Sequence, residues 1–230
     1  VMLRASRSFI NLAIKNIRVG SLLVLLCIGQ AMAIEEPKYD VIQTDGSFEI
    51  RKYAPILVAE TFVDGDMDEA SSKGFRLIAD FIFGNNQVAD SNTSSKIAMT
   101  APVTAEPVSK KIAMTAPVTA EPQSSESTMQ AAKKWRIHFV MPSQFTLANI
   151  PKPKNDAVTL RDVPSKFFVV HSYSGFNSLA RVQAKTDEAL EWANRKALKV
   201  LGQPQLSRYD PPWTLPMFRR NEIMLEVAAP

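Results

Sequence analysis

With 230 residues, 27 Lys+Arg and 23 Asp+Glu, the chain is long enough for one domain with a sizeable core, and its formal charge is +4. The four basic residues Arg4, Arg7, Lys15 and Arg18 precede Ile34 without an acidic one, so residues 34–230 carry 23 charges of each sign and give no support for nucleic-acid or anionic-membrane binding. The single cysteine, Cys27, lies in the same leading segment, which leaves the rest without a disulfide, a thiolate ligand or a Cys-x-x-Cys-His attachment site.

Residues 1–33 read as an export signal: a basic start, the apolar run Val19–Ile28 and the small-x-small site Ala31-Met32-Ala33. The run is too short to cross a hydrocarbon layer of about 30 Å. Cleavage near Ala33-Ile34 is expected, with the product in the periplasm or secreted and no stable membrane insertion. An uncleaved anchor is the alternative.

The remaining chain, 34–230, opens with alternating segments Tyr39–Thr44 and Phe48–Tyr53 around the turn signal Asp45-Gly46, and Ile56–Val63 predicts a third strand. Asp66 is an N-cap with Glu69 three residues on. Phe75, Ile78 and Ile82 recur at helical spacing, Leu77 and Phe81 widen that face, and Gly84 ends the helix. Lys96–Pro107 then recurs letter for letter as Lys111–Pro122. One strand slot needs one copy, and loop-closure entropy is equal for either choice. The reading is a tandem duplication with one copy in the sheet, followed by a flexible linker over residues 123–133 that is Ser-rich in Gln123–Thr128.

Trp135–Met141 alternates strongly and predicts a strand joining two halves. Val158–Asp162 and Lys166–Ser174 predict strands, and Ala189–Leu201 a helix with Leu190, Ala193, Ala197 and Leu201 on one side, ended by Gly202. Leu206–Tyr209 and Ile223–Val227 complete the second half, and Arg51-Lys52-Tyr53 and Arg161-Asp162-Val163 occupy matching places in the two halves. The expected fold is α+β: a pseudo-twofold, distorted antiparallel β-barrel with two helices packed on the outside.

Between the last two strands, Tyr209-Asp210-Pro211-Pro212-Trp213-Thr214-Leu215-Pro216-Met217-Phe218-Arg219-Arg220-Asn221-Glu222-Ile223 holds three prolines in six residues, which excludes a helix or a central strand. It reads as a stiff loop presenting Trp213, Met217 and Phe218 above a basic pair, a surface suited to a flat apolar ligand with carboxylates, or simply a cover for the end of a barrel.

Tyr-Asp-Pro-Pro followed by Arg-Arg-Asn-Glu-Ile resembles the C-terminal signature of the SOUL haem-binding protein family. Met99-Thr100-Ala101-Pro102-Val103, Phe139-Val140-Met141-Pro142-Ser143-Gln144-Phe145 and Tyr173-Ser174-Gly175 agree with it in the same order, so the resemblance runs from about Tyr39 to Val227. It implies the same architecture and non-covalent binding of haem or another porphyrin, as buffer or carrier. The family places the porphyrin against the first helix and beside the Pro-rich loop, which here means Phe75, Ile78, Ala79 and Ile82 with Trp213, Met217, Phe218 and Arg219. Where the best-known members carry basic residues on that helix stand Ser72, Leu77 and Asp80, with Lys73 and Arg76 one residue away. His138 and His171 are weak candidates for iron ligation, each lying alone in a strand, and Met99, Met114 and Met217 carry thioethers. No catalytic signature is present: there is no Gly-x-Ser-x-Gly elbow, no cysteine nucleophile and no Gly-rich phosphate loop. Two other readings remain, a periplasmic module binding a peptide or apolar metabolite in the same cleft, and an enzyme acting on a tetrapyrrole.

Overall fold

The computed structural model describes residues 34–89, 91, 93–108, 129 and 132–230. The leading segment, the second repeat copy and Gln123–Thr128 lie outside them. Ile34–Pro230 forms one compact unit. No helix among the described residues is long and apolar enough to cross a membrane.

In chain order the elements are β1 (Tyr39–Asp45), β2 (Phe48–Tyr53), β3 (Ile56–Asp64), α1 (Met67–Ile82), β4 (Asn86–Gln87), β5 (Val103–Pro107), β6 (Lys134–Val140), β7 (Lys152–Pro153), β8 (Thr159–Val163), β9 (Lys166–Tyr173), α2 (Leu179–Arg195), β10 (Gln205–Arg208) and β11 (Asn221–Val227). Nine strands form one antiparallel sheet, β1-β2-β9-β11-β10-β5-β6-β3-β8, and β4 pairs with β7 separately. The large sheet curls into a half-open, distorted barrel, as the alternating patterns and the paired halves predict.

The order contains the twofold relation. β2, β3, β5 and β6 with α1 form one half, and β8, β9, β10 and β11 with α2 the other. The halves meet at β5–β10, and each gives its first strand to the other: β2 pairs with β9, and β8 pairs with β3. Strand exchange makes each half incomplete without its mate.

Alternation along the strands divides side chains between two faces. The outer face supplies Ile50, Ala59, Ile137, Phe139, Ala105, Leu206, Val169, Ile223 and Leu225 to one large core with Ile78, Phe81 and Ile82 of α1 and Val182, Ala189 and Ala193 of α2. Helix and sheet approach closely at Gly74, where a Cβ would sit 2.5 Å from Ile137 Cγ1. The inner face carries a small apolar cluster of Tyr53, Phe168, Val170 and Met224, and otherwise charged and polar groups.

α1 begins as expected, with Asp66 accepting from the Glu69 amide at 2.8 Å. Past its end, fully buried Asn86 donates to Phe81 O and Ser95 O and accepts from the Ser95 amide, pinning the connection to the repeat. The first repeat copy supplies β5, between β6 and β10. Met129, at the end of the expected linker, is buried in the core.

The second helix departs from expectation. It starts ten residues before Ala189, capped by Ser178, and stops at Arg195, where Ala197 adopts a positive φ of 54°. Its buried stripe is Val182, Thr186, Ala189 and Ala193, while Leu190 and Leu201 are exposed. Reading the stripe from Leu190 selected the wrong face. The true one contains a threonine, whose hydroxyl is satisfied within the helix by Val182 O at 2.8 Å.

Candidate functional site

Residues 209–220 form the projecting loop between β10 and β11. Turns at Pro211–Thr214 and Leu215–Phe218 are closed by backbone hydrogen bonds of 3.0 and 2.9 Å. Trp213 is 82 % exposed, Phe218 71 % and Met217 64 %, with Leu215 and Phe176 also in solvent. Most of the burial that normally accounts for such side chains is absent here.

Each polar residue of the signature has a structural partner. Tyr209 donates to Glu222 Oε2 at 2.6 Å, and Asp210 accepts from the Arg220 amide at 2.6 Å. Arg219 donates to the carbonyls of Thr214 and Pro212 and lies 5.6 Å from the Phe176 ring centroid. Arg220 stacks 3.5 Å over the Tyr209 ring and pairs with Glu36. Asn221 donates to Gly175 O at 3.1 Å and accepts from Asn177, which in turn accepts from Tyr173, so the Tyr-Ser-Gly motif is joined to the same latch. These bonds hold the loop in one shape and leave its apolar side chains as the free surface.

The helix side of the expected porphyrin surface requires correction. Ile78 and Ile82 are fully buried in the main core and Ala79 is buried as well, because the helix spends that face against the strands of the sheet. Of the four helix residues only Phe75 reaches solvent, with its ring 5.4 Å from that of buried Phe139. Lys73 is paired with Glu69, and β10, which feeds the loop, is tied to the first turn of α1 by Arg208 and Asp68 at 3.4 Å. Arg219 is committed to its own loop, so it contributes a stacked, partly exposed guanidinium rather than an open fork.

Neither histidine fits iron ligation at this surface. His171 is stacked on Phe48 at 4.2 Å, next to Tyr173, and stands 3.2 Å from Glu188. Burial, reinforced by Lys185, lowers its pKa, which Glu188 only partly opposes. His138 points to the inner face of the sheet, opposite Trp135, Ile137 and Phe139; burial and then Arg136 and Arg161 push its pKa down to about 3. Met217 is the exposed thioether on the loop, Met99 is partly exposed, and Met114 lies outside the described residues. Among the described residues no group of three or more His, Cys, Asp or Glu could hold a metal. The loop is thus an exposed apolar surface, and histidine ligation of an iron there does not fit.

Sequence reasoning missed the interior. Pairs of Arg51 with Glu222, Arg161 with Glu60 and Arg136 with Glu106 line it. The signal was available as alternating charged residues in strands that also carry alternating apolar ones.

Comparisons agree with this architecture. The EcmrR C-terminal domain has a TM-score of 0.55 at 11 % identity, covering 84 % of this chain and 99 % of that one. EcmrR in its DNA complex gives 0.53 at 12 % identity, over 97 % of this chain and 70 % of that one. A hydrolase from Listeria innocua gives 0.50 at 11 % identity, over 81 % and 94 %. Such likenesses concern the fold alone. No curated protein matches the sequence. The profile described as SOUL heme-binding protein matches residues 34–226. The chain belongs to the SOUL heme-binding protein family.

Proposed function

We propose that the protein reversibly binds haem or a related tetrapyrrole, without covalent attachment, on the loop bearing Trp213, Met217 and Phe218 with Phe176 at its margin, and that it acts after export as a buffer or carrier. The observation that carries this reading is the exposure of three large apolar side chains on a loop already locked by its own hydrogen bonds. A preformed apolar surface loses little conformational entropy when a rigid ligand settles on it. Family membership supports the ligand class, and the leading segment's pattern of basic start, apolar run and small-x-small site supports export.

Binding here rests on apolar and aromatic contact, with Met217 as the candidate axial group, while Arg219 and Arg220, already bonded to the loop and to Glu36, give propionates positive charge at the edge rather than an open fork. A haemin titration followed at the Soret band tests it. Saturation at one equivalent with micromolar affinity supports the carrier. Absence of saturable binding refutes it and leaves the loop as a protein-docking surface, whereas turnover of a bound metalloporphyrin would make the protein an enzyme.

A further inference from the structure

We propose that the inside of the curled sheet is a second binding site, distinct from the exposed Trp213–Phe218 face of the loop though bordered by Tyr209 at the loop's base, which takes a small carboxylate. The strand alternation that sends Ile137 and Phe139 to the core sends Arg136 and His138 of β6 inward. Arg161 of β8, Lys166 of β9, Gln205 of β10 and Thr104 of β5 converge on the same space from four other strands. They surround a cavity of about 100 Å³, room for a small molecule rather than a single water. Most of its lining is apolar, with Tyr53, Ile56, Val140, Val163, Phe168 and Met224 inside and exposed Ala54 and Pro164 marking its mouth.

The charged groups in the wall are all cations. Each cation is held by a glutamate: Arg136 by Glu106, Arg161 by Glu60 and Lys166 by Glu226. The cations, not these carboxylates, form the wall. Two buried polar atoms are left over. Arg136 Nε has no hydrogen-bond partner, and neither has Nδ1 of His138, a side chain with 9 % of its surface exposed. The His138 ring is neutral, because its pKa lies near 3. Its sealed Nδ1 has nothing to donate to, so its one proton belongs on Nε2, and the ring borders the cavity. Burial also raises the pKa of Glu106, which weakens the negative counterweight. An interior serving stability alone would be filled as the helix side is, since a well-packed apolar replacement for buried ions is usually no less stable. This space instead collects three cations and an unpartnered imidazole around a void, the equipment for a carboxylate with a short apolar stem.

The test follows the histidine resonances of the protein by NMR, assigned with His171→Gln, during addition of acetate, succinate or inorganic phosphate at constant ionic strength against chloride. The expected result is a saturable shift of the His138 resonance by acetate or succinate, with His171 unmoved. Arg136→Lys keeps the ion pair with Glu106 but replaces the planar guanidinium with a single ammonium, and should weaken binding about tenfold, the loss of one charge-assisted hydrogen bond. Haemin at the loop should leave the carboxylate affinity unchanged. The proposal is overturned if neither carboxylate gives a saturable shift, if phosphate alone does, if Arg136→Lys binds as tightly as the parent, or if haemin displaces the carboxylate. Because the parent titration is read first, failure of the variant to fold would not shield the proposal, and neither carboxylate result depends on whether haemin binds.

Discussion

Arg51 donates to both carboxylate oxygens of Glu222 at 3.1 Å, across 171 residues of chain and from one half of the fold to the other. Arg161 repeats the arrangement in reverse, reaching Glu60 of the first half from β8 of the second. Both arginines stand on the exchanged strands, so each ion pair fastens the crossing that makes the halves interdependent. Tyr209 and Tyr53 converge on the same site as Glu222, and burial first, then the carboxylate, raises both phenol pKa values.

Glu222→Gln removes one of the two carboxylates paired with buried Arg51, leaving Glu49 at 2.6 Å, and should cost about 3 kcal/mol, the low end for breaking a buried ion pair, measured by urea unfolding. The paired change Arg51→Met with Glu222→Leu should cost less than Glu222→Gln alone. A double variant weaker than the single one would refute the pairing account.

The fold should weaken in mild acid. His138 is held neutral with a pKa near 3, below its ordinary value near 6.5, so the unfolded chain takes up a proton that the folded one refuses. The stability is present above about pH 6.5 and declines towards pH 3, by roughly 2 kcal/mol at pH 5. His171, also lowered, acts in the same direction. Stability-versus-pH curves for His138→Gln should be flatter between pH 7 and 5, and an unchanged slope counts against the assignment.

Gly74→Ala adds a methyl 2.5 Å from Ile137 Cγ1 and 2.6 Å from its Cβ. The helix propensity gained, about 1 kcal/mol, is smaller than the overpacking cost of about 1–3 kcal/mol where neither backbone can retreat. Thermal melts should show net destabilisation, with Ile137→Ala partly compensating in the double variant.

Trp213→Ala and Phe218→Ala remove exposed rings and should change stability by less than about 0.5 kcal/mol. Haemin affinity should fall about tenfold for each. Unchanged affinity with unchanged stability would remove the loop from the binding surface.

Deleting Lys96–Lys110 leaves an identical strand in Lys111–Pro122. The chain should fold with the retained copy between β6 and β10, within about 1 kcal/mol of the parent by loop entropy. Circular dichroism and denaturant melts check this, and a deletion that cannot fold would show that both copies are structural.

Much of the scaffold was legible. Asp45-Gly46, Asp66 with Glu69, and the alternation of residues 135–141 act within a few residues of themselves and appear where expected. The start of α2 was missed because Ser178 caps a helix whose core stripe includes a threonine, and an apolar count passes over it. At the loop, exposure of Trp213 and Phe218 was readable from the prolines around them. The roles of Ile78, Ala79 and Ile82 were not, because an amphipathic helix has one apolar face and nothing local says whether a sheet or a ligand will cover it.

Local pattern thus carried the first helix, most strands, the matching halves and the family signature, since caps, turns and periodicity are short-range effects. Only the tertiary structure decided that Arg219, Arg220, Asn221 and Glu222 serve as a latch, that β2 and β8 change halves, and that His138 borders a cavity. Those outcomes depend on partners 5 to 171 residues away, brought together by the loop's own fold, by strand pairing and by the requirement that buried charges be matched.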